Sequence, residues 1–141
     1  MAQILLIPAK LPSLNELIAA NRRNKYTGAK LKRETEEFIA QYIKINKIRP
    51  VERPCVVHMV FHEPTRKRDA DNVESAKKYI LDALVKSGII KGDSPKYVVA
   101  SPSFTVYGEP GASVVVTIIE GDPEKLRLLL KAASDTITGG T

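Results

Sequence analysis

The sequence predicts an α+β fold, a small mixed β-sheet with helices packed on it, and three observations carry that expectation. Short β-branched runs alternate with segments of helical period, Pro, Gly and Asp bound the runs, and one run, 114–119, is apolar almost throughout. At 141 residues the chain fits one domain, 1–141, long enough to bury a core.

The elements follow in order. Residues 4–8 read as a first strand, ended by Pro8 and Pro12, and Ser13 caps a short helix over 14–20. Residues 21–33 hold six basic residues and no acidic one, with Tyr26 beside a Gly28 that reads as flexible. The helical spacing of Leu31, Phe38, Ile39, Tyr42 and Ile43 predicts a helix over 29–46, and Pro50 and Pro54 punctuate its exit. Residues 55–62 form a strand closed by Glu63-Pro64, with Cys55 in the core and His58 and His62 on the solvent face. A central helix over 72–87 follows, with Gly88 at its C-terminal cap. Residues 97–107 and 112–120 read as strands joined by the turn Gly108-Glu109-Pro110-Gly111, hence antiparallel neighbours. The second reads as an interior strand buried on both faces. Asp122-Pro123 starts a last helix whose Leu126, Leu129 and Leu130 need a surface, and 136–141 is expected to fray.

Composition narrows the chemistry. One cysteine excludes an internal disulfide, and with two histidines it leaves no Cys/His zinc site. A metal here must take oxygen ligands, which favours Mg²⁺, Mn²⁺ or Ca²⁺. No apolar run is long enough to span a bilayer and the N-terminus lacks a basic signal region, so a cytoplasmic chain with no membrane partner is expected. A formal charge of +6 and a pI near 9.5 favour a polyanionic partner.

Three acidic residues stand out: Asp69 and Asp71 in RKRDADN, and Asp93 in IIKGDSPKYV. They flank the central helix, so its two acidic ends can meet. Each is weighed against an ordinary structural role. Asp71-Asn72-Val73-Glu74 fits an N-cap with an acidic third position, and Asp93 fits a turn, whereas Asp69 lies outside the helix and no cap requires it. At about 100° per residue, Val73, Ala76, Ile80, Ala83 and Leu84 form the core face, while Asp71, Lys78 and Asp82 cluster opposite. Lys77 lies at the edge of the apolar stripe and snorkels, which leaves Lys78 as the site lysine. The ordinary account of Lys78 and Asp82 is an exposed i,i+4 pair.

These residue types suit phosphodiester cleavage. Neighbouring carboxylates repel unless a hard cation lies between them, and the cation activates water and neutralises developing charge. A lysine nearby stabilises the transition state. Arg22, Arg23, Lys25 and Lys30, with Lys32 and Arg33 after them, and Arg66, Lys67 and Arg68 beside the aspartates are candidates to hold a DNA backbone, with Tyr26 stacking on a base. Solvated loop and helix faces are the alternative for such charge runs.

RDADN followed by KYILDALVKSGIIKGDS resembles the RusA family of Holliday-junction resolvases, common in phages and prophages. That family shows a DxDN segment, D-A-L within the following helix, an apolar Gly-containing turn and a final aspartate. LPSLNE is similar to its opening Pro-Ser-Asn element, and the motif-bearing part covers 66–96. The resemblance implies a Mg²⁺-dependent endonuclease, with Mn²⁺ substituting, that resolves four-way DNA junctions as a homodimer in recombination and repair. It makes Asp69, Asp71 and Asp93 the metal-binding, catalytic carboxylates. Three departures accompany it: Ser75 stands where the family usually places a catalytic lysine, the chain is longer between DxDN and D-A-L, and Gly92 replaces an acidic residue. Counting back from Asp82 returns Lys78 to the lysine position. A branched-DNA-binding protein without turnover, and a nuclease for another branched or flap substrate, are the alternatives.

Overall fold

In the structure, a computed structural model describing the backbone of residues 2–139 and the side chains of residues 2–132, strands and helices alternate in mixed order. The first half holds β1 (Ala2–Ile7), α1 (Leu14–Arg23), α2 (Lys25–Ile45) and β2 (Cys55–Glu63). The second holds α3 (Ala70–Glu74), α4 (Lys77–Lys86), β3 (Val98–Ala100), β4 (Ser103–Tyr107), β5 (Ser113–Glu120) and α5 (Pro123–Gly139). The class is α+β with one mixed sheet, as expected.

β2 is the strand on which the sheet is built. One of its edges pairs antiparallel with β5, which in turn pairs antiparallel with β1. Its other edge pairs parallel with β3 and then β4. Parallel neighbours need a crossover, and α3 and α4 supply it. The expected hairpin between the last two strands is therefore absent: β4 and β5 lie on opposite edges of β2. The turn residues do form a turn, with Gly108 at φ 89. Its amides at Gly108 and Glu109 donate to the Glu63 carbonyl, which ties the turn to the end of β2. The single strand expected over 97–107 is broken at Ser101-Pro102, where proline has no amide to donate.

Alternation decides the core. Leu5, Ile7, Val57, Met59, Val116 and Ile118 leave one sheet face and pack on Ile39, Ile43, Ile80 and Leu84 of the helices. In β5, Val114, Val116 and Ile118 are buried while Val115, Thr117 and Ile119 are only half-buried, so one face of this strand is covered, not both. α5 contacts β2 and β3 and buries Leu126 and Val56 outside the main core, but Leu129 stays exposed. The helix runs through Gly139, and 140–141, the end of the segment expected to fray, lie outside the described residues.

Two helices differ from expectation. The central helix breaks at Ser75-Ala76 into α3 and α4, although its core face of Val73, Ala76, Ile80, Ala83 and Leu84 is buried as the spacing predicts. It ends as predicted: Gly88 takes φ 75, its amide donates to the Val85 carbonyl, and that of Ile89 donates to Leu84. The basic stretch is helical almost throughout, because α1 runs to Arg23 and Asn24 caps α2 by accepting from the Thr27 amide at 2.7 Å. Gly28 is no flexible link. It is buried in α2, where a Cβ would collide with the Asn21 side chain of α1. Among the described residues no helix is long and apolar enough to cross a membrane.

The register pairs Leu5 with Val116 on the covered face and Ile4 with Thr117 on the other. Leu5→Ala is expected to lower stability by about 2–5 kcal/mol in urea unfolding. Ile4→Ala, at a position 62% exposed, is expected to change it by only about 0.5 kcal/mol. A larger loss at Ile4 than at Leu5 would place β1 one residue out of this register.

Candidate metal and nucleic-acid site

The segment that carries the first two aspartates is held by a buried ion pair. Glu63 ends β2 with a buried carboxylate, which is costly unless a cation and hydrogen bonds meet it. Arg68 Nε donates to Glu63 Oε1 at 2.9 Å, and Nη1 donates to the Leu11 carbonyl at 3.1 Å. The Tyr107 hydroxyl closes the arrangement by donating to the Arg68 carbonyl at 2.8 Å. Only 12% of the Arg68 side chain is exposed, so its guanidinium faces inward. Arg66 and Lys67 are exposed and have no side-chain partner among the described residues.

Asp69 is the N-cap of α3: its Oδ1 accepts from the Asn72 amide at 3.0 Å, and its backbone is extended. This corrects the expectation that Asp71 caps the helix and that Asp69 has no structural role. Asp71 instead lies in the first turn, where the helix dipole favours a negative charge. Its exposed carboxylate accepts no hydrogen bond among the described residues.

The two motifs of the sequence prove to be one contact. Asn72 Oδ1 accepts from the Asn15 amide at 3.2 Å, and Ser75 Oγ accepts from the Leu14 amide at 2.8 Å while donating to the Asn72 carbonyl at 2.6 Å. Ser13 Oγ takes the Glu16 amide at 3.3 Å. The first amides of α1, which no helix can satisfy internally, are thus capped in part by α3. Ser75 is therefore a capping residue, a role that sequence reasoning missed because its partner is so distant in the chain. Glu74 was missed too. Its carboxylate accepts from Ser103 Oγ at 2.6 Å and Thr105 Oγ1 at 2.7 Å, fastening α3 to β4. The alternate hydroxyls of Ser103 and Thr105 were the available signal.

The third aspartate lies elsewhere. The loop after α4 doubles back, and Lys78 Nζ donates to Asp93 Oδ2 at 2.9 Å and lies 3.1 Å from Asp82 Oδ1. Lys32 Nζ lies 3.6 Å from the other Asp82 oxygen. The hydrogen bond from Lys78, and then its charge, hold the Asp93 carboxyl below the usual carboxylate range. Asp93 and Asp82 in turn push the Lys78 ammonium above its usual value. Lys77 does not snorkel to water as expected: half-buried, it donates to the Ser101 carbonyl at 2.8 Å. Lys78 is thus the lysine that stands among carboxylates.

Asp69, Asp71 and Asp93 are not gathered into one three-ligand cluster, and among the described residues no group of three or more His, Cys, Asp or Glu is. Asp69 has one oxygen on an amide, Asp93 has one on an ammonium, and Asp71 is open. The donor chemistry nonetheless suits Mg²⁺, which keeps several waters and commonly takes one or two carboxylates together with substrate phosphates.

The basic stretch divides into paired and unpaired cations. Lys30 lies 3.9 Å from Glu34, and Lys32 is engaged with Asp82. Arg22 and Arg23 in the last turn of α1, and Lys25 opening α2, are exposed and have no partner among the described residues, with Tyr26 beside them at 71% exposure.

Arg68→Ala leaves the Glu63 charge buried without its cation and is expected to cost about 3–5 kcal/mol in urea unfolding. Arg66→Ala is expected to cost no more than about 0.5 kcal/mol. A second outcome concerns pH. The depressed Asp93 carboxyl contributes stability above its unfolded value, lost as pH falls through the folded one. The raised Lys78 ammonium contributes below its unfolded value, lost as pH rises through the folded one. The pair is therefore intact from weak acid to weak alkali. In carboxyl-carbon NMR, Lys78→Gln is expected to raise the Asp93 midpoint to the ordinary range; an unmoved midpoint would show that the pair does not form.

No family model matches the chain, and no curated protein matches it in sequence.

Proposed function

We propose that the chain is a Mg²⁺-dependent, structure-selective endodeoxyribonuclease of the RusA kind, cutting four-way junctions in pairs as a homodimer in DNA recombination and repair. The observation that carries this reading is the return of Asp93 to Lys78, in the first turn of α4, which sets an acidic residue from beyond the helix against its lysine.

Asp71 and the second oxygen of Asp69 would hold Mg²⁺, which supplies charge neutralisation and an activated water when bound, while Asp93 would hold Lys78. Asp82 and Asp93 keep Lys78 protonated, so it offers a fixed positive charge to the phosphate. Arg22, Arg23, Lys25, Lys30, Arg66 and Lys67 contact backbone phosphates, which positions DNA without reading its sequence. Tyr26 stacks on a base. Arg68 serves this surface indirectly, by setting the course of the segment before Asp69.

A labelled four-way junction with Mg²⁺ tests the reading. The parent is expected to cut it, Asp71→Asn to leave it uncut, and Lys78→Met to slow cleavage by about 10²–10³-fold. Flap and linear-duplex substrates, run alongside, identify the preferred branch. The second reading is a junction-binding protein without turnover, favoured by the capping roles of Asp69 and Ser75. Binding that persists in EDTA, with no cleavage in any divalent metal, selects it. Absence of salt-sensitive binding removes both.

A further inference from the structure

We infer that the cavity between the chain entering β2 and the loop that carries Asp93 binds one nucleotide of an unpaired DNA strand. The proposal deepens the function above and rests on it for DNA as the source of the nucleotide.

Two segments line this cavity of about 210 Å³, one being residues 51–54 and the other running from Ile90 to Tyr97. Their backbones are tied together. The Val51 amide donates to the Ile89 carbonyl at 2.9 Å, and the Cys55 amide donates to the Tyr97 carbonyl at 2.9 Å. The Glu52 amide donates to the Glu120 carboxylate at 3.0 Å. The walls are therefore set before a ligand arrives, which lowers the ordering cost of binding.

The lining has an apolar part and a cationic part. Ile90 is buried, and Val51, Pro54 and Tyr97 are half-buried. The Tyr97 ring lies against Gly92, where a Cβ would stand 3.1 Å from the ring edge, so glycine at 92 leaves the ring its place. Arg53, Lys91 and Lys96 are exposed at the cavity, and none has an ion-pair partner among the described residues. Glu52 is the one carboxylate in the lining, so cations lead three to one. Lys32, Lys78, Arg68 and Lys86, by contrast, each meet a carboxylate.

This chemistry matches the two halves of a nucleotide: a base for the ring and apolar floor, a phosphate for the cations. Lys96 Nζ lies 5.4 Å from the centroid of the Tyr97 ring. An exposed cation–π contact of that kind is weak, so a base can take the ring while the ammonium turns to a phosphate. Size favours a polymer over a free nucleotide. Sites that engulf a whole small molecule run to roughly 300–1,000 Å³, so this smaller cavity suits one unit of a strand held elsewhere as well. A base inside a duplex keeps its faces stacked, and the strand must be unpaired to offer one. A strand seated here lies on the loop whose Asp93 holds Lys78.

Fluorescence anisotropy with a short labelled thymidine oligonucleotide, read without divalent metal, tests the proposal. Tyr97→Leu is expected to weaken binding about tenfold, the worth of one stacked base, and Tyr97→Phe to leave it unchanged. Arg53→Ala and Lys91→Ala are each expected to flatten the salt dependence by about 0.7, one phosphate contact on a single strand. In amide NMR of the parent, the oligonucleotide is expected to shift residues 51–53 and 91–97, a readout that needs no variant to fold. Binding indifferent to Tyr97→Leu, or shifts confined to the α1–α2 corner, would overturn the proposal. So would inorganic phosphate shifting the same amides at the same concentration, or linear duplex losing as much as the oligonucleotide on Tyr97→Leu. Tyr97-dependent binding by a protein that cuts no junction defeats the nuclease reading alone. A parent that cuts junctions but binds the oligonucleotide without need of Tyr97 defeats this cavity alone.

Discussion

A carboxylate buried at the end of the central strand constrains much of what surrounds the candidate site. Glu63 has almost no access to water, and Arg68 is the cation that meets it. The same guanidinium reaches the Leu11 carbonyl in the loop before α1, and the Tyr107 hydroxyl of β4 holds the Arg68 backbone. Four segments are thereby fixed to one another: the end of β2, the β1–α1 loop, the chain entering α3, and β4. Where α3 begins follows from this, and with it the positions of Asp69, Asp71, Asn72 and Ser75. Removing either partner leaves the other buried and charged, which is why such a pair is far costlier to break than an exposed one.

Most residues of the acidic motif have a structural role. Asp69 caps α3, Asn72 and Ser75 cap α1, and Glu74 fastens the short helix to β4. A five-residue helix is too short to be stable alone, so these side-chain bonds hold it in place. Asp71 is the exception, open to solvent at the start of the helix. A carboxylate with no structural role beside one with a full role is the arrangement in which chemistry and folding least interfere.

The sequence made the class, the core face of the central helix and the Gly88 cap legible, because each is a local or periodic signal. What it hid was non-local or a matter of phase. Val73, Ala76 and Ile80 keep helical spacing through the break at Ser75-Ala76, so the apolar stripe cannot report it. Asp69 and Asp71 are both competent caps, and only the Asn72 amide decides between them. The Gly108 turn is correctly read as a turn, but a turn does not say which strands pair. β4 is captured by β2 through a parallel ladder after a long crossover, with Glu74 of that crossover meeting Ser103 and Thr105. Gly28 looked mobile because its partner, Asn21, is brought near only by the corner between α1 and α2.

Charge is sorted on this molecule. Several cations are paired with carboxylates: Arg68 with Glu63, Lys32 and Lys78 with Asp82 and Asp93, Lys86 with Glu36. Pairs of that kind orient side chains but project little field, because each charge is cancelled nearby. The long-range potential then comes from exposed cations with no partner among the described residues, among them Arg22, Arg23 and Lys25 at the α1–α2 corner and Arg66 and Lys67 before α3. Both groups adjoin the helical layer, while the outward positions of the sheet hold neither sign.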